Sequence, residues 1–225
     1  MRGSNTLPVD GTFPSILPIT GQGGDIDEPG NTEPNRRPND GAAPRPDALS
    51  VLSLARKRFI QGRRIDMGEL GADLGVSRAT LFRWVGNRDQ LTADILRDLA
   101  TKTFRDAQAA HADTTGARRV SAVVGDFVQT LSEARFFVDF VHREPERALR
   151  LLTTKESPVQ GYVIGRVEQL LDEEIDPASG PGEIRHHDLA YLIVRICESL
   201  LYTDLITGEP PNPDIARQAI YALIR

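Results

Sequence analysis

Eight side chains between residues 77 and 88 have the types and helical spacing needed to contact the phosphates and base edges of a nucleic acid. They are Ser77, Arg78, Ala79, Thr80, Phe82, Arg83, Trp84 and Arg88. Arginine commonly donates two hydrogen bonds to the O6 and N7 atoms of guanine, whereas hydroxyl and indole donors suit phosphate oxygens. The set therefore predicts a surface that reads DNA, provided that the chain holds it on a rigid element.

The position of each side chain indicates its role. Arg78, near the start of the predicted helix, is placed for a base edge, and Ala79 is small enough to approach a thymine methyl group. The hydroxyl groups of Ser77 and Thr80 suit phosphate, which the helix N-terminus itself attracts. Arg88 begins the following helix, so we expect it beside a second phosphate.

Two short helices joined by a tight turn are the elements that must position these side chains. An amphipathic run at 67–74 is followed by Gly75 and Val76, and Ser77 then suits the N-cap of the next helix. Leu81 and Val85 lie four residues apart, so they point inward together. Helix, turn and helix in this order predict a helix-turn-helix, whose second helix enters the major groove.

Apolar spacing predicts helices throughout the chain after residue 46. Four polar residues (Asp47, Asp66, Ser77 and Asn87) suit N-caps, and Pro145, Pro158 and Pro213 each suit a first helical turn. The predicted helices are 47–62, 67–74, one capped by Ser77, 87–110, 117–132, 133–143, 144–153, 157–175, 186–207 and 213–224. No run alternates with a period of two, so the fold class is all-α.

The composition divides the chain into regions. Residues 1–46 contain seven Gly and eight Pro, which predicts a disordered arm because such a segment buries little apolar surface. Residues 47–105 carry 11 basic and 7 acidic side chains, a net charge of +4, although the whole chain has a net charge of −5. A basic segment on an acidic body is typical of a small DNA-binding domain. The acidic remainder, 106–225, forms a second helical domain.

Several classes of protein are disfavoured. The single cysteine, Cys197, and the lack of a signal peptide or an apolar span favour a cytoplasmic protein without membrane attachment. The sequence contains no catalytic or cofactor-binding motif, so we expect neither an enzyme nor a cofactor. His186 and His187 follow a loop and point about 100° apart on a helix, so we expect them to be exposed and to bind no metal.

The run 70–91 resembles the DNA-binding domain of TetR-type transcriptional regulators. In that family the signature G-V-S-x-x-T-L-Y-x-Y-F-x-s-K-e-x-L lies near the N-terminus of an all-helical chain. The residues that match directly are Gly75, Val76, Ser77, Thr80, Leu81 and Leu91. Phe82 replaces the usual Tyr and lacks its hydroxyl, and Arg88 replaces the usual Lys. The segment 135–175 is similar to regulators of the QsdR type, which are associated with lactone catabolism.

The resemblance implies a ligand-responsive regulator, most simply a repressor that binds an inverted-repeat operator as a homodimer and is released by a small apolar or lactone-like effector. It also implies that residues 106–225 form a ligand-binding and dimerisation domain, with the helix 87–110 as the lever between the two domains. The aromatic residues expected to contact the ligand are Phe136, Phe140, Tyr162 and Tyr191. Two alternatives stay open, namely a ligand-binding protein that no longer reads DNA and a helix-turn-helix activator.

Overall fold

The computed structural model describes residues 45–176 and 184–225, which form eleven helices and their connecting loops, with no strand in these two ranges. The helices are α1 (Ala48–Ile60), α2 (Met67–Leu74), α3 (Arg78–Val85), α4 (Arg88–Ala110), α5 (Gly116–Glu133), α6 (Arg135–Arg143), α7 (Pro145–Thr153), α8 (Pro158–Glu174), α9 (His186–Leu201), α10 (Thr203–Ile206) and α11 (Pro213–Ile224). The all-α fold class is confirmed. The predicted arm lies outside the described residues, apart from Arg45 and Pro46.

The predicted N-caps form hydrogen bonds that fix where the first four helices begin. Asp47 accepts from the backbone N–H of Ser50 at 2.8 Å, and Asn87 accepts from that of Gln90 at 2.9 Å. Both pairs are capping boxes, because Ser50 and Gln90 also accept from the backbone N–H of the cap residue. Asp66 caps α2 without a capping box, because the Glu69 side chain pairs with Arg58 and Arg63 instead.

The structure differs from the sequence prediction at the end of the long helix 186–207. It contains α9 and the short α10, which are separated at Tyr202. The hydroxyl of Thr203 donates to the carbonyl oxygens of Ser199 (3.0 Å) and Leu200 (2.9 Å), so it competes with the backbone N–H groups that would continue the helix. Tyr202 itself is buried in the body of the protein.

Two regions of one continuous core hold the fold together. In the first region α1, α2, α3 and the start of α4 bury the side chains of Val51, Ala55, Leu70, Leu81 and Leu91 completely. In the second, α5 packs against α11 and α8 packs against α9, with α4 beside α5 and α8. With 23 residues, α4 is about 35 Å long and reaches both regions. The predicted domain boundary between residues 105 and 106 falls inside α4 and stays a prediction.

Candidate functional site

A close contact between α2 and α3 holds the helix-turn-helix rigid. Leu81 on α3 is fully buried, and a Cβ atom on Gly71 would lie 2.9 Å from the carbonyl oxygen of Val76 and 3.1 Å from the Leu81 side chain. Gly75 ends α2 with a φ of 65°, a conformation that glycine adopts without strain. The direction of α3 is therefore fixed by backbone packing as well as by its apolar face.

The outward face of α3 carries most of the side chains that the sequence predicted for DNA. Four of these residues are exposed together with the N-cap, namely Ser77, Arg78, Ala79, Phe82 and Arg83. The Phe82 side chain is unusual because an aromatic ring lies at the surface with 61% of its area exposed. Thr80 and Trp84 are half-buried, and Trp84 packs against the core. This face presents two guanidinium groups around an exposed apolar ring.

Ser77 uses its hydroxyl oxygen to cap α3. The oxygen accepts from the backbone N–H of Thr80 at 3.1 Å and lies 2.9 Å from the Thr80 hydroxyl oxygen. The two hydroxyl groups therefore form one unit at the helix N-terminus. An anion at this end would meet these hydroxyl groups together with the partial positive charge of the helix.

The structure places Arg88 differently from the other seven residues. Its guanidinium group lies 2.5 Å from the Glu144 carboxylate, and only 17% of its side chain is exposed. The neighbouring Asp89 forms ion pairs with Arg147 (2.6 Å) and Arg150 (2.8 Å) on α7. The N-terminus of α4 is thus bound to α7 rather than open to a phosphate.

Sequence reasoning missed this ion-pair cluster of α4 and α7, although its signal was present. Glu144, Arg147 and Arg150 recur every three residues, which places them on one face of a helix. Opposite charges at this spacing indicate a face that binds a charged partner, and Arg88 and Asp89 supply that partner in the structure.

Aromatic rings form a second link between the first three helices and the rest of the protein. Phe59, at the end of α1, is 4% exposed, and its ring centre lies 5.8 Å from that of Phe136 and 5.4 Å from that of Phe140. Both contacts are edge-to-face, with interplanar angles of 60° and 64°. Since Phe136 also lines the internal cavity, one ring contacts both the cavity and α1.

The internal cavity lies among α4, α5, α6, α7, α8 and α9. Its empty space is about 750 Å³ when the opening to solvent is included. Most of the lining is apolar, including Leu96, Leu99 and Phe104 from α4. An apolar cavity of this kind is the usual form of a small-molecule site.

Of the four aromatic residues predicted to contact a ligand, only Phe136 lies in the cavity wall. Phe140 is one helical turn further along α6, where its ring packs on Phe59 instead. Tyr191 is 47% exposed on the outer face of α9, and Tyr162 is half-buried on α8 outside the lining. These three residues are not part of the cavity wall.

The polar part of the cavity wall was not found from the sequence. Gln160, Cys197, Glu198 and Tyr202 line the cavity beside the apolar residues. Glu198 is 8% exposed, lies 2.5 Å from the guanidinium group of Arg195 and accepts a hydrogen bond from Gln160. The signal was a carboxylate inside the apolar run 191–201, because a buried charge requires partners.

Burial changes the acidity of three groups on this wall. Burial raises the pKa of Glu198, while the charge of Arg195 and the hydrogen bond from Gln160 oppose that rise. Burial also raises the pKa of the Cys197 thiol to about 12 and raises the pKa of Tyr202. At neutral pH the wall therefore presents a thiol and a phenol hydroxyl, and the Glu198 carboxyl group lies beside Arg195.

The two histidines at the start of α9 contact different carboxylates. His186 Nδ1 lies 2.7 Å from Asp172, and His187 Nδ1 lies 2.9 Å from Glu168. The prediction that both are exposed is wrong for His186, whose side chain is only 10% exposed because it packs beside α8. Within residues 45–176 and 184–225, no group of three or more potential ligands is arranged to hold a metal ion.

The C-terminal half of the chain is similar to a known protein family. Residues 115–225 match the family described as tetracyclin repressor-like, C-terminal domain. This region is similar to the C-terminal domain of TetR-type proteins. It begins at the N-cap of α5 and contains most of the cavity wall, together with α9 and α11.

Solved structures extend the TetR-like fold beyond that domain. The structure is similar to the TetR-family transcriptional repressor QsdR of R. erythropolis, with a TM-score of 0.69 and 25% identity over 79% of this chain and 93% of that chain. It is also similar to the TetR-family repressor AlkX of Dietzia sp., with a TM-score of 0.55 and 21% identity over 80% of this chain and 92% of that chain.

A TetR-family member of Streptomyces coelicolor has the same architecture, with a TM-score of 0.50 and 20% identity over 80% of this chain and 99% of that chain. No curated protein matches the sequence at a significant level. Among the helices of the described residues, none combines the length and the apolar character that crossing a membrane requires.

Proposed function

We propose that the chain is a ligand-responsive transcriptional regulator that binds DNA through α3 and is released from its operator by a small, largely apolar effector. The observation that carries this proposal is the exposed arginine-bearing face of α3, held rigid by the buried α2–α3 contact. The similarity of residues 115–225 to the TetR-type C-terminal domain supports it. The repressors QsdR and AlkX, with which the chain shares its fold, support the choice of a repressor.

DNA binding would depend mainly on the exposed face of α3. Arg78 and Arg83 supply guanidinium groups for guanine edges or phosphates, and Phe82 supplies an apolar surface suited to a thymine methyl group. The N-terminus of α3, with Ser77 and Thr80, would contact a phosphate. We leave Arg88 out of this surface because its guanidinium group is bound to Glu144.

We propose a homodimer because the exposed face of α3 is small. One short helix contacts too few bases to select an operator. Two copies on a two-fold axis would read half-sites about one helical turn apart. Large apolar side chains are exposed on α9 at Tyr191 and Leu192 and on α11 at Ile215. We propose that this face of α9 and α11 pairs with a second copy.

The effector would act through α4. A ligand in the cavity contacts α4 at Leu96, Leu99 and Phe104, and it also contacts Phe136, whose ring packs on α1. If the cavity binds ligand better when the two α3 helices have the wrong separation, the ligand weakens operator binding. The biodegradation of n-alkanes, in which AlkX is implicated, is consistent with an effector that fits an apolar cavity.

The direct test is selection of bound DNA from genomic fragments with the purified protein and three variants. Arg78→Ala and Arg83→Ala each remove a guanidinium group from α3, whereas Arg105→Ala removes one from the exposed face of α4 as a charge-matched control. We expect the wild type and the control to recover an inverted repeat that both α3 variants lose. Enrichment no greater than background would instead favour a ligand-binding protein that does not read DNA.

A further inference from the structure

The polar groups of the cavity lie together on one wall. Gln160 comes from α8, Glu198 from α9, and Tyr202 from the break directly after α9. The facing side, from α4, α5 and α6, contributes only apolar side chains, such as Leu96, Val124 and Phe136. A ligand in this cavity therefore meets hydrogen-bonding groups at one side and apolar groups at the other.

The chemistry of the polar wall favours a ligand that donates a hydrogen bond. An ionised carboxylate has only acceptor oxygens, with about four lone-pair sites. Arg195 and Gln160 occupy some of these sites on Glu198, and the Arg195 side chain is half-exposed and lies toward solvent. Because Glu198 lines the cavity, we infer that its remaining acceptor sites are available to a ligand there, and Tyr202 lines the same cavity.

We propose that the cavity binds an uncharged amphipathic molecule, with a short alkyl body against α4, α5 and α6 and an N–H or O–H donor that binds Glu198. A carboxylate head group is rejected because it would lie beside a buried negative charge. A bare lactone can accept a hydrogen bond from the Tyr202 hydroxyl, but it is bound less well because it gives the carboxylate no donor. The inference rests on the proposed function only for the claim that this molecule is the effector.

Three eight-carbon probes separate these possibilities because they have the same number of carbon atoms and differ in the polar group. Octanamide donates N–H bonds, octanoate is an anion, and γ-octalactone only accepts. Calorimetry at pH 8 without DNA measures their affinities for the full-length protein. A hydrogen bond to a charged group corresponds to about 10- to 100-fold in affinity, so we expect octanamide to bind at least about tenfold more tightly than either other probe.

Two variants assign the selectivity to one carboxylate. Glu198→Gln keeps the size of the side chain but adds donors and removes the charge, so we expect octanamide affinity to fall by about tenfold or more and the preference over octanoate to disappear. Glu173→Gln removes a carboxylate from the exposed face of α8 and is expected to leave all three affinities unchanged. Circular dichroism establishes that both variants are folded.

The wild-type probe series is decisive even if Glu198→Gln does not fold. Equal or tighter binding of octanoate or γ-octalactone, or no binding of octanamide, would overturn the proposal. Because the measurement contains no DNA, a failure to bind an operator would leave this result unaffected, and a failure of octanamide to bind would leave the DNA selection unaffected.

Discussion

The contact of Phe59 with Phe136 and Phe140 makes a quantitative prediction about Phe59→Leu. The substitution keeps an apolar side chain at a buried position but removes two edge-to-face aromatic pairs. Each such pair contributes about 0.5–1.5 kcal/mol beyond the area it buries. We therefore expect the free energy of unfolding to fall by about 1–3 kcal/mol, as measured by urea titration followed by circular dichroism.

A stability control separates this contact from general weakening of the core. Leu170→Val removes one methylene group from a fully buried side chain of α8 that does not line the cavity. This substitution should lower the free energy of unfolding by about 1 kcal/mol. The ratio of the operator affinity without ligand to that with ligand measures how strongly the ligand weakens DNA binding. If Phe136 transmits ligand binding from the cavity to α1, Phe59→Leu should reduce this ratio and Leu170→Val should not.

Mutations between two coupled sites alter the coupling free energy by roughly 0.5–2 kcal/mol, which corresponds to about 2- to 30-fold in the ratio of operator affinities. The assay is fluorescence anisotropy of a labelled operator fragment, with whichever eight-carbon probe binds the wild type. A loss of stability below about 0.5 kcal/mol would refute the energetic reasoning, which rests on the aromatic pair values. An unchanged affinity ratio in Phe59→Leu would refute the role of this contact in coupling.

Three further outcomes follow from the structure. Glu144→Gln leaves Arg88 without its ion pair. Because the pair is neither fully buried nor exposed, the free energy of unfolding should fall by about 1–3 kcal/mol, between the values for exposed and buried pairs, as measured by urea titration. Cys197 should resist iodoacetamide at pH 8 in the native protein and react after unfolding, because burial raises its pKa to about 12; mass spectrometry measures the modification. Hydrogen bonds from the backbone N–H groups of Glu69 and Gly68 lower the pKa of Asp66 in the folded protein. The ionised Asp66 therefore stabilises the fold above the usual Asp pKa of about 3.9. This stabilisation is lost as the pH falls toward the lowered pKa. Asp66→Asn should therefore reduce the difference in stability between pH 7 and pH 3.

The helices could be predicted from the sequence because their signals are local. Caps such as Asp47 and Asn87 act within three residues, and apolar spacing identifies the buried face of each helix. The break at Tyr202 was missed because the apolar run continues through it. There the hydroxyl of Thr203 and the burial of one ring decide the backbone, and both depend on how the neighbouring helices pack.

The exposed face of α3 was predictable for the same reason, since one helix determines it. The placement of Arg88 was not, because its partner Glu144 is 56 residues away in the sequence. The lining of the cavity could not be predicted from local sequence patterns either. Phe136 and Phe140 are both apolar residues of one helix, and the sequence does not show which of the two rings lies against the cavity. That distinction depends on the positions of α1 and α8, which sequence spacing does not give.

The most direct test of the proposed regulator compares operator affinity with and without a cavity ligand. The selected inverted repeat is titrated with the wild-type protein by fluorescence anisotropy, alone and with saturating octanamide, with Arg78→Ala as the DNA-binding control. We predict that the ligand weakens operator binding by about 5- to 150-fold, the usual range of coupling between two sites. Equal affinities with and without a ligand that calorimetry shows to be bound would contradict the proposed regulation.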